Sequence, residues 1–468
     1  MSILEKNTGL YTDHYELTMA QGYFLSGKQN TTANFDYFFR KNPYQSGYVL
    51  FAGLADLLEA LENYRFEEED CRFLQSIGFH KKFTEYLKGF QFKGTIHSVR
   101  EGEIVFPDEP VVRVEGDIIE TQLIETLLLN ILNFQSLIAT KAARMRLVAR
   151  DKLLIDFGMR RAQGLGAIHA SRAAVIGGFD GTSNVYSAFQ FGFRSSGTMA
   201  HSWIQTFDNE LEAFREFVRF YPDSAILLVD TYDTLKMGIP NAIQAAKELE
   251  KSGGRLLGIR LDSGDLAYLS KAARKMLNDS NLEYVKIIAS NQLDEHIIRS
   301  LMEQQAPIDV FGVGTALVIG KDEGALDGVY KLSSVNNRPS MKLSDNISKM
   351  TLPGIKNIYR YCYPDENLFY ADGIELQKAK LPSIIYHPLQ PEKNVSLKDF
   401  KHEEIMQKVM ENGLTLYKSS VENISEFARN RFRQLNDEYK RFENPHLYKV
   451  GIGRELMNLR DNLKSDIK

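Results

Sequence analysis

Cysteine is almost missing from this chain: Cys71 and Cys362 are the only two in 468 residues. Neither lies in a CxxC or other zinc-ligand spacing, and two cysteines cannot build a disulfide framework. Long apolar runs are missing too, with none near the roughly 18 residues of a membrane span. The opening MSILEKNTGLYTDHYELTM has no basic start followed by an apolar stretch, so no secretory signal is expected. A reducing cytoplasm is the expected location. An excess of positive charge is also absent. The net charge is −4, and no broad basic field runs through the sequence, which argues against nucleic acid or an anionic membrane as a partner. A phosphorylated small molecule needs only a local positive pocket, which this balance leaves open. No P-loop, HExxH, GxSxG or EF-hand pattern occurs. Several enzyme classes drop out, though not the use of ATP by another route.

What is present is ordinary globular composition, 43% hydrophobic and 25% charged, at a length that suggests roughly three domains. Three apolar runs in the middle of the chain end in bursts of polar chemistry. Residues 225–229 run into Asp230-Thr231-Tyr232-Asp233, 256–261 into Asp262-Ser263-Gly264-Asp265, and 310–311 into Gly312-Val313-Gly314-Thr315. Strand-like runs recur at 153–157, 196–200, 226–230, 256–261, 285–290 and 309–313. Helical segments separate them at 162–176, 211–219, 239–252, 266–278 and 294–304. The pattern predicts an irregular, incomplete α/β barrel, whose strands converge their carboxyl ends on one face. A doubly wound sheet is the competing topology, but it gathers polar groups at one switch point rather than at nearly every strand end. Before this region, helices at 13–25, 50–64 and 71–87 mix with strand-like pieces at 32–40 and 90–116, an α+β order. The expected division is an N-terminal α+β domain at 1–135 and the barrel at 136–350. The C-terminal region at 351–468 either completes the first domain or forms a small third one, with amphipathic helix over 403–442.

Several residues carry chemistry at these strand ends. His201, in Gly197-Thr198-Met199-Ala200-His201-Ser202, can act as a base or as a nucleophile toward phosphorus, or it can be a hydrogen-bonded structural histidine. Arg260 and Asp262 flank Leu261 and, by alternation, share one face, where they can hold an anion and sugar hydroxyls or Mg²⁺. Asp265 has a plainer reading as a helix cap. Gly314 and Thr315 follow a strand late in the series, where barrels bind phosphate. Phe157-Gly158-Met159-Arg160-Arg161 places two arginines at a helix start, an uncomfortable position unless an anion is near.

Taken together, TDHYELTM at 12–19, FGMRRAQG at 157–164, GGFDGTSNV at 177–185, GTMAHSW at 197–203, GIRLDSGDL at 258–266, SNQLDE at 290–295, FGVGT at 311–315 and KLSDNISKMTLPGIK at 342–356 resemble the nicotinate phosphoribosyltransferase family. The resemblance runs from about residue 8 to about residue 370. It implies a type II phosphoribosyltransferase fold, an α/β-barrel domain beside an α+β sandwich-like domain. It also implies a reaction, the first step of NAD biosynthesis from nicotinate. Nicotinate and phosphoribosyl pyrophosphate would give nicotinate mononucleotide and pyrophosphate, with ATP hydrolysed through a phosphohistidine and Mg²⁺ carried by the substrate. A homodimer is implied as well. Residue by residue, His201 would be phosphorylated, Thr198 would contact nicotinate, and Tyr15 and Phe157 would flank the pyridine. Arg260 would pair with an anionic group, Asp262 would hold ribose hydroxyls, and Gly314 and Thr315 would bind the phosphoribosyl phosphate. Arg160 and Asp230 would be further substrate contacts. A sister enzyme using nicotinamide or quinolinate is the near alternative. Ser183 stands where a carboxylate would favour the neutral amide. A phosphate-binding sensor without catalysis, or a barrel with no ligand, would use the same strand ends differently.

Overall fold

The computed structural model describes residues 7–344 and 349–467. They pack as two compact units: residues up to 140 together with 325 onward, and residues 141–324. In chain order, the strands that position the site are Thr32–Phe39 (β1), Thr95–Val99 (β2), Val112–Asp117 (β3), Leu153–Asp156 (β4), Gly181–Thr182 (β5), Ile226–Leu228 (β6), Gly258–Leu261 (β7), Lys286–Ser290 (β8), Val310–Val313 (β9), Gly328–Val335 (β10) and Met406–Glu411 (β11).

β4 to β9 form a six-stranded parallel sheet in the second unit, in the order β5-β4-β9-β8-β7-β6. The first strand of the series, β4, pairs with the last, β9, as closure of a barrel demands and a doubly wound sheet does not. The seam falls between β5 and β6, which are the sheet's two ends. The strands are short apolar runs because a barrel strand is covered on both faces. Leu154, Leu227, Ile259, Ile287 and Phe311 are all completely buried. The register is level: Asp156 lies opposite Val313 and Thr182, and Leu228 opposite Arg260. The residues just after these positions therefore share one rim. The helices between strands form close to where periodicity put them, at Gly166–Ile176, Glu210–Phe220, Ile239–Lys251, Leu266–Asn278 and Glu295–Glu303.

Three expectations are corrected. Residues 196–200 are not a strand. The strand that takes that place in the series is the two-residue β5, Gly181–Thr182, and Ser195 makes only an isolated bridge back to Thr182. Ser196 and Gly197 supply none of the β-branched or aromatic bulk that holds a strand. Residues 403–411 are not helix: Lys401–Glu404 and Met406–Glu411 are two strands, and Met406, Val409 and Met410 are buried where β11 pairs with β2; the helix is Val421–Gln434. β10, counted with the barrel by position in the sequence, pairs with β1.

The first unit holds an antiparallel seven-stranded sheet in which β10, β1, β3, β2 and β11 are neighbours, and the C-terminal region supplies both β11 and a separate six-stranded sheet. One core of aromatic and aliphatic side chains, including Phe35, Tyr37, Leu57, Val112 and Leu128, packs against the first sheet. Among the described residues no helix is long and apolar enough to cross a membrane.

Candidate active site

Three neighbouring strand ends of the barrel, with the segment 198–201, place polar side chains within hydrogen-bonding reach of one another. β7 delivers Arg260 and then Asp262, and the two interact directly, Nη2 to Oδ2 at 3.1 Å. The adjacent strand β8 ends in Ser290, whose hydroxyl accepts from Arg260 Nε at 3.0 Å and donates to Asp262 Oδ1. Arg260 Nη1 donates to the Thr198 hydroxyl at 2.6 Å and to the Met199 carbonyl at 3.2 Å. The guanidinium also lies 5.9 Å from the centre of the Phe157 ring. Every arm of Arg260 is held, so a planar, permanently charged group is aimed before any ligand arrives.

His201 begins the short helix His201–Gln205. Its Nδ1 is hydrogen-bonded to the Thr231 hydroxyl at 3.1 Å, and its Nε2 is 4.0 Å from Asp262 Oδ2. The side chain is 42% exposed, so one edge is oriented while the ring stays reachable. Asp230, ending the run after β6, accepts from the Asp262 amide at 2.8 Å and the Ser263 hydroxyl at 2.6 Å, both through Oδ2. Its Oδ1 is buried and, among the described residues, has no hydrogen-bond partner. Asp265 caps the next helix, accepting from the Tyr268 amide at 3.0 Å, which is its plainer reading.

Thus the structure gathers His201, Thr198, Arg260, Asp262, Asp230 and Phe157. The Phe157 amide donates to the Val313 carbonyl at 2.7 Å. Its ring fits because residue 312 has no side chain: a Cβ on Gly312 would lie 2.4 Å from a ring carbon. Gly314 and Thr315 follow β9 at the start of the helical turn Thr315–Val318, with Thr315 exposed. Arg160 is exposed on the turn Met159–Arg161, and among the described residues no hydrogen bond joins it to the group. Tyr15 belongs to the first unit, on the first turn of the helix His14–Leu25 and 46% exposed. Burial and the neighbouring Glu125, to which it is hydrogen-bonded, push its hydroxyl far above the usual tyrosine range.

Two members of the group were not singled out from sequence. Thr231 lay inside a motif read for its aspartates. Ser290 ended a strand just as the other site residues do, and that position was the available signal. Among the described residues no three histidine, cysteine or acidic side chains are placed to hold a metal ion by themselves.

The first unit contains a cavity of about 490 Å³. Arg40, Lys41, Lys331, Lys349, Lys356 and Arg460 line it, against the carboxylates of Asp36, Asp108 and Asp327. Lys356 is spoken for: its Nζ sits 2.7 Å from Asp36, and both are buried. Burial lowers the Lys356 pKa, and Asp36 counters part of that. Of the KLSDNISKMTLPGIK stretch, 349–352 and Lys356 reach this cavity, while 345–348 lie outside the described residues.

Comparison with known proteins agrees with this geometry. The chain matches the model of the nicotinate phosphoribosyltransferase (NAPRTase) family over residues 153–382, that family's N-terminal domain over 10–133 and its C-terminal domain over 355–460. It is 41% identical over 464 residues to nicotinate phosphoribosyltransferase of Bacillus subtilis, covering 96% of this chain and 94% of that protein. It is 33% identical to nicotinate phosphoribosyltransferase 1 of Arabidopsis thaliana, covering 96% and 92%. The crystal structure of human nicotinic acid phosphoribosyltransferase superposes with a TM-score of 0.87 at 29% identity, over 97% of this chain and 99% of that one. The fold, the level rim of strand-end side chains and these matches agree: the chain belongs to the nicotinate phosphoribosyltransferase family.

Proposed function

We propose that this chain is an ATP-dependent nicotinate phosphoribosyltransferase. The observation that carries the reading is the joint placement of a reachable, oriented His201 and a fully held Arg260–Asp262 pair on one barrel rim. In the transfer, the pyridine nitrogen forms a bond to the anomeric carbon as the bond to pyrophosphate breaks, and pyrophosphate leaves with the electron pair. The transition state is cationic at the sugar, so alignment and charge placement supply most of the catalysis. Nicotinate brings its own nucleophile and needs no general base. Phe157 offers an aromatic face to the pyridine. Arg260, with the Thr198 hydroxyl beside it, suits the substrate's anionic groups, and Asp262 suits ribose hydroxyls. Gly314 and Thr315 are assigned to the phosphate, and Arg160 and Tyr15 to further substrate contacts, on resemblance.

ATP is used through His201. An imidazole nitrogen attacks the γ-phosphorus, the β–γ bridge breaks and ADP leaves; hydrolysis of the phosphohistidine later releases phosphate. The phosphoryl group adds negative charge and acceptor oxygens beside Asp262, changing affinity for the phosphoribosyl donor. Mg²⁺, when bound, neutralises phosphate charge. The unpartnered Oδ1 of Asp230 suits one ligand position, with substrate oxygens supplying most of the rest. The surplus of cations around the first unit's cavity suits a polyphosphate group. A homodimer would give the exposed Met159, Leu165, Val185 and Phe189 a surface to cover. A cytoplasmic location agrees with two free, buried cysteines.

Nicotinate is preferred over nicotinamide in this reading because Ser183, not a carboxylate, follows β5. The deciding experiment supplies phosphoribosyl pyrophosphate with nicotinate or nicotinamide, with and without ATP, and separates the mononucleotides by chromatography. Product from nicotinate, increased by ATP, is expected. His201→Ala should abolish the ATP effect and the phosphoprotein together. Retention of ATP stimulation at the wild-type level in that variant would refute the phosphohistidine route.

A further inference from the structure

Asp156 ends β4, is fully buried, and takes no part in the chemistry above. Its carboxylate is nonetheless completely engaged. Oδ1 accepts from the Gly158 amide at 2.7 Å. Oδ2 accepts from the Ser171 hydroxyl at 2.7 Å and the Thr182 hydroxyl at 2.8 Å. The Asp156 carbonyl accepts from the Ser183 amide at 2.8 Å. Gly158 follows Phe157, and Thr182 precedes Ser183. One residue therefore fixes both loops that carry the proposed pyridine contacts.

The connection continues past Thr182. Its hydroxyl oxygen accepts from the Asn184 amide at 2.9 Å. Asn184 in turn caps the helix Val185–Phe191, accepting from the Ser187 amide at 3.2 Å, and its own side-chain amide donates to Ser171 at 3.2 Å. On the other side, the Phe157 ring lies against Gly312, where no side chain competes for the space. Burying a carboxylate is costly unless donors surround it, and here three do. Packing alone does not require a charged group at this position. A rigid acceptor that takes donors from two loops at once does.

We infer that Asp156 is a positioning residue for the acceptor base: it holds the Phe157 turn and the 182–184 loop in register, and so sets the affinity for nicotinate without touching it. The inference rests on the reading of Phe157 and Ser183 as lining the pyridine site. It predicts a split between the two substrates, because the Arg260–Asp262–Ser290 group on the facing strands is held independently of Asp156.

The test uses the full chain with Thr182→Val, Thr182→Ser and Asp156→Asn, each checked for folding by circular dichroism. Thr182→Val keeps the side-chain shape and removes one of the three donors. Its KM for nicotinate should rise about tenfold, while the KM for phosphoribosyl pyrophosphate stays within about twofold. Thr182→Ser, which restores the hydroxyl, should return the nicotinate KM to the wild-type value. Asp156→Asn keeps an acceptor for Gly158 but reverses polarity toward the hydroxyls, so it should shift the nicotinate KM in the same direction. If the wild-type chain makes no mononucleotide from nicotinate, the functional reading falls and this inference with it. If the wild type is active but Thr182→Val leaves both KM values unchanged, or raises both equally without rescue by serine, only the inference is overturned.

Discussion

Ser290 is the smallest member of the site, and its loss is the simplest to read. Its hydroxyl bridges a guanidinium and a carboxylate, accepting from one and donating to the other. Hydrogen bonds to charged groups contribute about 1.5–3 kcal/mol each, and a buried charge left without its partner costs more than the average bond returns. Ser290→Ala removes no bulk, so packing changes little. It should lower kcat/KM for phosphoribosyl pyrophosphate by roughly tenfold or more, the equivalent of about 1.4 kcal/mol per decade. If His201 is phosphorylated by ATP as proposed, that phosphorylation should persist, because the Thr231 contact to Nδ1 does not pass through Ser290. A variant with wild-type kcat/KM would show that Arg260 and Asp262 need no bridge.

At the scale of elements, the barrel was legible because parallel strands covered on both faces leave uninterrupted apolar runs, and helices between them keep a 3.6-residue period. The runs ending at Asp156, Asp230, Asp262 and Ser290 are of this kind. The two-residue β5 was not legible, since Gly181-Thr182 carries no apolar run at all and is held by its neighbour β4. Nor was β11: Glu403, Glu404, Lys408 and Glu411 give 403–411 the look of a charged helix, while its buried residues answer to pairing with β2, three hundred residues earlier. The site followed the same division. Arg260, Asp262 and His201 stood out as chemistry at strand ends. Thr231 and Ser290 are ordinary hydroxyls whose importance appears only when neighbouring strands are set side by side. The packing of elements yields its own prediction at Gly238, which opens the helix Ile239–Lys251. A Cβ there would lie 1.8 Å from the Val229 carbonyl oxygen, inside the backbone that carries Asp230 and Thr231. Gly238→Ala must push helix and strand apart. Overpacking of this kind costs about 2 kcal/mol, and the melting temperature should fall by roughly 4–8 °C. A melting curve that superposes on the wild type would mean that the strand end yields freely.

At the scale of the whole molecule, the first unit is assembled from the two ends of the chain, and charges buried at its joins make its stability depend on pH. Arg360 is fully buried between Glu103, at 2.5 Å, and Asp372, at 2.6 Å, so segments from both ends of the chain share one ion network. Glu115 shows one sign of the dependence. Burial alone would raise it, but hydrogen bonds from His97 and Arg113 outweigh that and bring it down to about 2. Its stabilisation is present above its ordinary value of 4.5 and is lost as the pH falls toward 2. Glu16 shows the other. Burial raises it to about 7, opposed by hydrogen bonds from Thr12 and Thr126, with Glu125 adding to the rise. A carboxyl group whose folded value lies above its unfolded one stabilises fully below the unfolded value, and that contribution is lost as the pH rises through the folded one. For Glu16 the window runs from 4.5 to about 7, and a shift of this size corresponds to on the order of 3 kcal/mol. Glu16→Gln keeps one acceptor for Thr126 and gains a donor for Thr12, and it carries no charge at any pH. The wild type should therefore lose ground to the variant as the pH rises. The difference in melting temperature, variant minus wild type, should grow in the variant's favour between pH 5 and pH 8, by several degrees in all. Glu120, also raised to about 7 by burial, is present in both proteins and cancels. A difference that stayed flat across that range would mean that Glu16 is as well solvated in the folded chain as in the unfolded one, and that the buried contacts to Thr12 and Thr126 do not hold it apart from water.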